Sequence, residues 1–95
     1  MKVSDSISCL LFSGTHCGIC QAIKPKLQAM TAQYPEVEFH IKDSAEQPEL
    51  AARHSVFSIP TLLIFAEGKE YRRYHGAFSI QTVEDDLGRL ISLMH

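Results

Sequence analysis

Two cysteines lie three positions apart, in the segment Cys17-Gly18-Ile19-Cys20. On a helix this spacing brings two sulfur atoms within one turn, close enough to form a disulfide bond and reopen it without moving the rest of the fold. Such a pair is suited to reversible exchange with other thiols and disulfides. The residues alone also allow two other interpretations, in which the cysteines are ordinary core residues or half of a zinc site.

The metal interpretation needs ligands that the sequence supplies poorly. There is no second Cys-x-x-Cys, so zinc would have to recruit Cys9, His16, His75 or another chain. Three cysteines are also an odd number, which argues against a secreted scaffold held together by paired disulfides. Redox chemistry is therefore favoured, and no metal and no cofactor are expected. Cys9 lies in an apolar run and is predicted to be an inert core residue rather than a third redox centre.

The cysteine pair is predicted to lie where a buried strand leads into a helix. The run from Cys9 to Phe12 is continuously apolar, as expected for a strand covered on both faces. Apolar residues at spacings of three and four then mark one face of a helix that begins at or just before the pair: Cys20, Ile23, Leu27, Met30 and Tyr34. Pro25 is expected to kink this helix rather than end it, because the apolar period continues beyond it.

The helix start assigns different roles to the two cysteines. Cys17 would face unpaired backbone N–H groups and the positive end of the helix dipole, and both favour thiolate over thiol. Cys17 is therefore predicted to be the attacking nucleophile. Cys20 lies further along, on the apolar face, and is predicted to resolve the mixed disulfide by attacking Cys17. Gly18 leaves the approach to Cys17 open.

The remaining chain alternates strands and helices. Residues 37–42 alternate apolar and polar side chains like a strand with one wetter face, and residues 46–54 suit a short helix with Pro48 near its start. Residues 62–66 and 69–75 suit a hairpin turned at Glu67-Gly68, whose second strand lies at an exposed edge. Ser79 can cap a last helix with three acidic residues, at 84–86, in its early turns. Five apolar residues of this helix are expected to face inward: Ile80, Val83, Leu87, Leu90 and Met94. The order βαβαββα predicts an α/β fold of one sheet with helices.

Composition limits the classes of function. With 95 residues, of which 45% are hydrophobic and 21% charged, the chain is predicted to form one domain over residues 1–95. The formal net charge is −2 and the basic residues are scattered, so neither nucleic acid nor a membrane surface is expected as a partner. Residues 1–6 lack a basic segment followed by an apolar stretch, so no signal peptide is expected, and no apolar run approaches the ~20 residues of a membrane span. A soluble, cytoplasmic monomer is expected.

Further signals occur in a fixed order around the cysteine pair. Pro25 follows Cys20 by five residues, Ile59-Pro60-Thr61 precedes a predicted strand, Phe65 and Gly68 lie in the hairpin, and Gly76-Ala77 precedes the last helix. With this set the sequence resembles the thioredoxins over nearly its whole length, after a shortened start. The resemblance implies a four-stranded mixed sheet with helices on both faces, in which the first two strands are parallel and the last two antiparallel. The extra N-terminal strand and helix of full-length thioredoxins would be absent.

The same resemblance implies a binding site. Ile59-Pro60 would be a cis peptide bond packed against the cysteine pair, so that the Ile59 backbone meets an extended substrate segment. A trans proline that merely starts a strand is the simpler alternative. The shallow apolar groove that receives the partner would be formed by His16, Gly18, Ile19, Ile59, Pro60, Thr61, Gly76 and Ala77. The partner would be a disulfide-containing protein or small molecule, and a separate reductase or thiol donor would regenerate the pair.

Three positions depart from the family pattern. Thioredoxins usually have Trp where this chain has His16, and Pro where it has Ile19. They also bury an Asp, which accepts the proton of the second cysteine, at the position of Leu11. Cys20 would therefore need water, Glu38, Lys42 or another group as its proton acceptor. His16 would either stabilise the Cys17 thiolate when protonated or simply be exposed beside it.

The predicted function is thiol–disulfide exchange through the couple formed by Cys17 and Cys20. One rival function is a non-catalytic thioredoxin-like binding module, whose affinity for its partner would survive the loss of Cys17. The other is a metal or iron–sulfur carrier, in which two chains share a cluster through the two cysteines.

Overall fold

The computed structural model describes residues 7–94. The strands are β1 (Ile7–Ser13), β2 (Val37–Asp43), β3 (Thr61–Ala66) and β4 (Lys69–His75), and the helices are α1 (Gly18–Thr31), α2 (Pro48–Arg53) and α3 (Ile80–Met94). The predicted order βαβαββα is confirmed. Among the described helices, none is long and apolar enough to cross a membrane.

The four strands form one mixed sheet in the order β2-β1-β3-β4. β1 and β2 are parallel, whereas β3 is antiparallel to both β1 and β4. β1 therefore lies inside the sheet, which explains its continuous apolar run, and β4 lies at an edge as predicted. At the carboxyl ends of the parallel pair, Ser44 donates its backbone N–H to the Ser13 carbonyl at 3.0 Å. The loop that leads to Cys17 begins at this point.

Helices cover both faces of the sheet, as the family resemblance implied. On one face, alternate residues of β1 form a buried cluster with the apolar stripes of α1 and α3: Ile7, Cys9, Leu11, Ile23, Leu27, Met30, Val83, Leu87 and Leu90. α2 and the segment after it cover the opposite face, where Ala51 and Val56 pack with Phe12 and Leu63. The sheet is thus buried on both sides over its two central strands.

Two local predictions are confirmed. Ser79 accepts the backbone N–H of Thr82 on its hydroxyl oxygen at 3.3 Å, which caps α3. Glu67 and Gly68 have φ values of 54° and 82°, and two positive φ values in succession are typical of the tight turn that joins antiparallel strands.

The helix ends differ from the sequence prediction in two places. α2 is shorter than residues 46–54, because it begins at Pro48 and ends at Arg53. Tyr34 lies outside α1, which ends at Thr31. The acidic residues at 84–86 lie in the second turn of α3, within the early turns where they were predicted. As expected, Pro25 does not end α1, which continues through it.

Truncating a core residue of α3 should cost much of the stability. Leu87 is fully buried in the cluster between α3 and the sheet. Leu87→Ala is expected to lower the free energy of unfolding by about 2–5 kcal/mol, because apolar contact is lost and a cavity is left. Leu93 lies on the same helix but is 71% exposed, so Leu93→Ala should change it by less than about 0.5 kcal/mol. Denaturant titration measures both values, and equal losses would contradict this packing of α3.

Candidate active site

Cys17 occupies the N-cap of α1, with an extended backbone (φ −109°, ψ 107°). Its sulfur accepts a hydrogen bond from the backbone N–H of Cys20 at 3.2 Å. This N–H has no partner within the helix, and the first turn carries no acidic residue that would repel negative charge at the sulfur. Hydrogen bonding and the helix dipole would both stabilise a Cys17 thiolate once the pair is reduced.

Cys17 and Cys20 are joined by a disulfide bond, and their Cα atoms are 5.2 Å apart. This separation lies within the range of ~4.4–6.8 Å that disulfide bonds span, so the pair can close without a shift of the backbone. The two residues differ in exposure, because Cys17 is half-buried and Cys20 is fully buried. The difference fits the predicted order of attack, in which Cys17 meets the substrate first.

The cis-proline segment lies against the loop that leads to Cys17. The Ile59–Pro60 bond is cis, as the family resemblance implied. Pro60 is buried, Ile59 is 38% exposed, and the Gly76 N–H donates to the Pro60 carbonyl at 3.0 Å. Gly14, which follows β1, leaves room for the Ile59 side chain, since a Cβ at Gly14 would come within 2.5 Å of Ile59 Cδ1.

Most of the other predicted groove residues are accessible. His16 and Gly18 are exposed beside Cys17, and Ile19 is 47% exposed. Ala77 is exposed and Gly76 is half-buried. Ile19 and Ala77 come together at a shallow depression of about 150 Å³ between the start of α1 and the start of α3.

Thr61 differs from these residues because its side chain is fully buried. Its hydroxyl donates to the Ser58 carbonyl at 2.8 Å and lies 3.5 Å from Nδ1 of His75. Thr61 is therefore placed to hold the cis-proline segment rather than to contact a partner. The sequence analysis did not single out Ser58, and it named His75 only as a possible zinc ligand, although the hairpin register that pairs Thr61 with His75 could have indicated this contact.

Glu38 and Lys42 lie on the face of the sheet opposite to α1, the helix that carries Cys20. The prediction that either of them accepts the Cys20 proton is therefore wrong. Side chains alternate between faces along β2, and Val37, Phe39 and Ile41 pack on the face that α1 covers. Glu38 and Lys42 therefore point to the opposite face, where Glu38 lies 3.2 Å from His40.

No buried carboxylate in the described core takes the place of the Asp that thioredoxins have at the position of Leu11. Leu11 is fully buried in the cluster beneath α1. Among residues 7–94, the buried polar side chains are those of Ser13, Thr31 and Thr61, and none of them is a carboxylate. Of the acceptors predicted from the sequence, water is the one that the geometry favours.

Burial raises the pKa of the Cys9 thiol from 9.0 to about 12. A thiol with this pKa carries almost no thiolate at neutral pH, and the thiolate is the reactive form. We expect iodoacetamide to label Cys17 in the folded, reduced protein and to label Cys9 only after unfolding. Rapid labelling of Cys9 in the folded protein would contradict its burial.

The same shift predicts a pH dependence of stability. The folded state holds the Cys9 proton more tightly than the unfolded state does, so this stabilisation is complete below pH 9.0 and is lost as the pH rises toward about 12. The free energy of unfolding should therefore fall less steeply over this range in Cys9→Ala than in the parent protein.

The potential metal ligands named from the sequence are not grouped. Over residues 7–94, no three His, Cys, Asp or Glu side chains come together as ligands for a metal ion. Cys9 is in the core, paired across the sheet with Ile64, and Cys17 and Cys20 are bonded to each other.

Comparison with known proteins gives consistent matches. The family model for thioredoxin matches residues 1–89. Thioredoxin-1 of Saccharomyces cerevisiae is 36% identical over 73 residues, which cover 77% of this chain and 71% of that protein. Thioredoxin of Chlamydia trachomatis is 34% identical over 91 residues, which cover 96% of this chain and 85% of that protein. The solved structure of thioredoxin 1 from Thermosipho africanus superposes with a TM-score of 0.85 at 27% identity, covering 90% of this chain and 96% of that one.

A mixed sheet that holds a disulfide-forming cysteine pair at a helix start defines a class of protein, the thiol–disulfide oxidoreductases. The match of the family model over most of the chain narrows the class further. The chain belongs to the thioredoxin family. It is a protein-disulfide oxidoreductase, and its redox-active group is the pair Cys17 and Cys20.

Proposed function

We propose that the protein works as a reductant, in which Cys17 attacks disulfide bonds of other molecules and Cys20 releases the reduced product. One observation carries this assignment of roles. The half-buried sulfur of Cys17 accepts the Cys20 backbone N–H at the start of α1, whereas the Cys20 side chain is fully buried. The hydrogen bond favours negative charge on Cys17, and the thiolate is the attacking form.

The exchange takes two steps. The Cys17 thiolate attacks one sulfur of the substrate disulfide, so that a bond from Cys17 to the substrate forms, the substrate S–S bond breaks and the leaving thiolate takes up a proton. Cys20 then gives its proton to water and attacks the Cys17 sulfur. The Cys17–Cys20 disulfide forms and the second substrate thiolate leaves. The substrate gains two electrons and the protein loses two.

The substrate segment is proposed to lie extended across the surface beside Cys17. The exposed part of Ile59 would contact this segment. The buried residues Pro60 and Thr61 would fix the backbone conformation of Ile59. The other groove residues would border the segment: His16, Gly18, Ile19, Gly76 and Ala77. Main-chain hydrogen bonds to an extended segment give affinity with little dependence on side chains.

Regeneration requires a second partner. A separate reductase or a small thiol must return two electrons to the Cys17–Cys20 disulfide after each turnover. We propose the cytoplasm as the compartment, because thiol reductants are kept available there and a free thiol such as Cys9 persists. The proposed acting form is one domain and a monomer, and the substrate is a disulfide in a protein or a small molecule.

Reduction of a disulfide-linked peptide, with dithiothreitol as electron donor, tests this function. We expect catalytic amounts of the protein to complete many turnovers and to raise the rate well above that of dithiothreitol alone. Binding of the peptide without acceleration would contradict the proposal and would support a binding module instead.

A further inference from the structure

One aromatic side chain beside the site is exposed to an unusual degree. Phe57 is 85% exposed, the highest value among the large apolar side chains that are exposed in residues 7–94. Two more of these four side chains, Ile19 and Ile59, belong to the proposed substrate groove, and the fourth is Leu93 on α3. Exposed apolar side chains that lie together mark binding surfaces more often than isolated ones do.

Phe57 lines a depression that none of the preceding roles uses. The depression has a volume of about 280 Å³ and lies between α2 and the cis-proline segment. Its lining carries no charged side chain: Ser44, Pro48, Ala51, Ala52, Val56, Phe57, Ser58 and Ile59. The volume is below the ~300–1,000 Å³ of pockets that enclose a drug-sized ligand. One or two apolar side chains of a bound segment suit this space better than a cofactor does.

The depression is continuous with the redox site. Ile59 belongs to both, and its side chain lies over Gly14 in the loop that leads to Cys17. Ser44, which also lines the depression, donates its backbone N–H to the carbonyl of Ser13, the last residue of β1. A segment that brings its disulfide to Cys17 and continues past Ile59 therefore enters this depression.

We propose that Phe57 is a specificity-determining residue, which selects substrates that carry a large apolar side chain close to the disulfide. The occupant is one such side chain, for example that of leucine, on an extended segment of the substrate protein. Burying it against Phe57 and the α2 wall removes apolar surface from water on both molecules, and a charged side chain would find no partner there. This inference rests on the proposed function, because the segment must be the one that Cys17 attacks.

Reduction kinetics on matched peptides test the inference. Each peptide carries one disulfide between two cysteines. A single leucine is moved through the three positions on either side of one of these cysteines, and the other variable positions are serine. Dithiothreitol supplies the electrons. At one or more positions, leucine is expected to raise kcat/KM about 10-fold over the all-serine peptide, a typical effect for one apolar group in a pocket.

Variants separate Phe57 from the redox chemistry. Phe57→Ser should reduce the leucine preference below about 3-fold, whereas Phe57→Leu should keep most of it, since leucine restores apolar area. Leu93→Ser is the matched control, because it removes another exposed apolar side chain and should leave the preference intact. All variants should reduce 2-hydroxyethyl disulfide at the parent rate, since that substrate has no side chain to place.

These outcomes distinguish a failure of the inference about Phe57 from a failure of the proposed function. If the parent protein reduces 2-hydroxyethyl disulfide and all peptides, but shows no leucine preference, the inference is wrong and the proposed function stands. A preference that persists in Phe57→Ser also overturns it. If the parent protein reduces none of these disulfides, the proposed function fails and the inference fails with it.

Discussion

Cys17→Ser is expected to lower disulfide reduction to the rate that dithiothreitol reaches alone, a loss of roughly 10³-fold or more in kcat/KM. The serine hydroxyl is not ionised at neutral pH and does not form a bond that a thiol can reopen. The sulfur that accepts the Cys20 N–H is the one removed by this substitution. The peptide turnover assay measures the loss.

The control for this variant is the third cysteine. Cys9 is buried in the core and takes no part in the exchange, so Cys9→Ala should keep kcat/KM within about 2-fold if the protein remains folded. A circular dichroism spectrum verifies the fold of both variants. An active Cys17→Ser protein, or a folded but inactive Cys9→Ala protein, would contradict the assignment.

Cys20→Ser should convert the enzyme into a trap for its substrate. Cys17 can still attack the substrate disulfide, but no thiol remains to release the product, so turnover stops after one covalent complex. Mass spectrometry of the unreduced protein should show an increase equal to one half of the substrate disulfide, and dithiothreitol should reverse it.

The buried position of Cys20 requires a second variant. Its side chain is fully buried, and a serine hydroxyl there without a hydrogen-bond partner would cost about 1–3 kcal/mol of stability. Cys20→Ala has no hydroxyl to satisfy and should trap substrate equally well. The assigned order of attack would be wrong if Cys17→Ser, rather than the two Cys20 variants, accumulated the covalent complex.

The sequence predicted well those features that depend on short patterns. The apolar run before the cysteine pair, the stripe along α1 and the turn at Glu67-Gly68 are each set by neighbouring residues, and all three are found in the structure. The cis bond before Pro60 followed from the family resemblance and not from the local pattern.

The helix ends were missed where local hydrogen bonds compete with the helix. Asp43 accepts the backbone N–H groups of Ala45 and Glu46 on its carboxylate, at 2.8 and 3.2 Å, and this turn keeps both residues out of α2. Tyr34 precedes a proline, which disfavours the helical conformation at that residue. The signal at residue 35 was therefore present in the sequence.

The features of the site that remained hidden depend on the packing of distant segments. Phe57 lies in the segment Ser55-Val56-Phe57-Ser58-Ile59 before Pro60, and the sequence alone does not show that its side chain is exposed to solvent. Likewise, the orientation of Glu38 and Lys42 away from α1 depends on which face of β2 that helix covers. The alternation along residues 37–42 places Glu38 and Lys42 on the wetter face of the strand, but which helix covers the other face, and the exposure of Phe57, have no local pattern in the sequence.

The most direct test of the account is the redox equilibrium of Cys17 and Cys20. The protein is equilibrated with glutathione buffers, its thiols are trapped, and the oxidised fraction is measured by mass. We predict one reversible two-electron transition at a low potential, near the cytosolic poise of roughly −220 to −320 mV. A much higher potential would contradict the role as a reductant. The absence of any reversible couple between the two cysteines would contradict the assignment of the protein as an oxidoreductase.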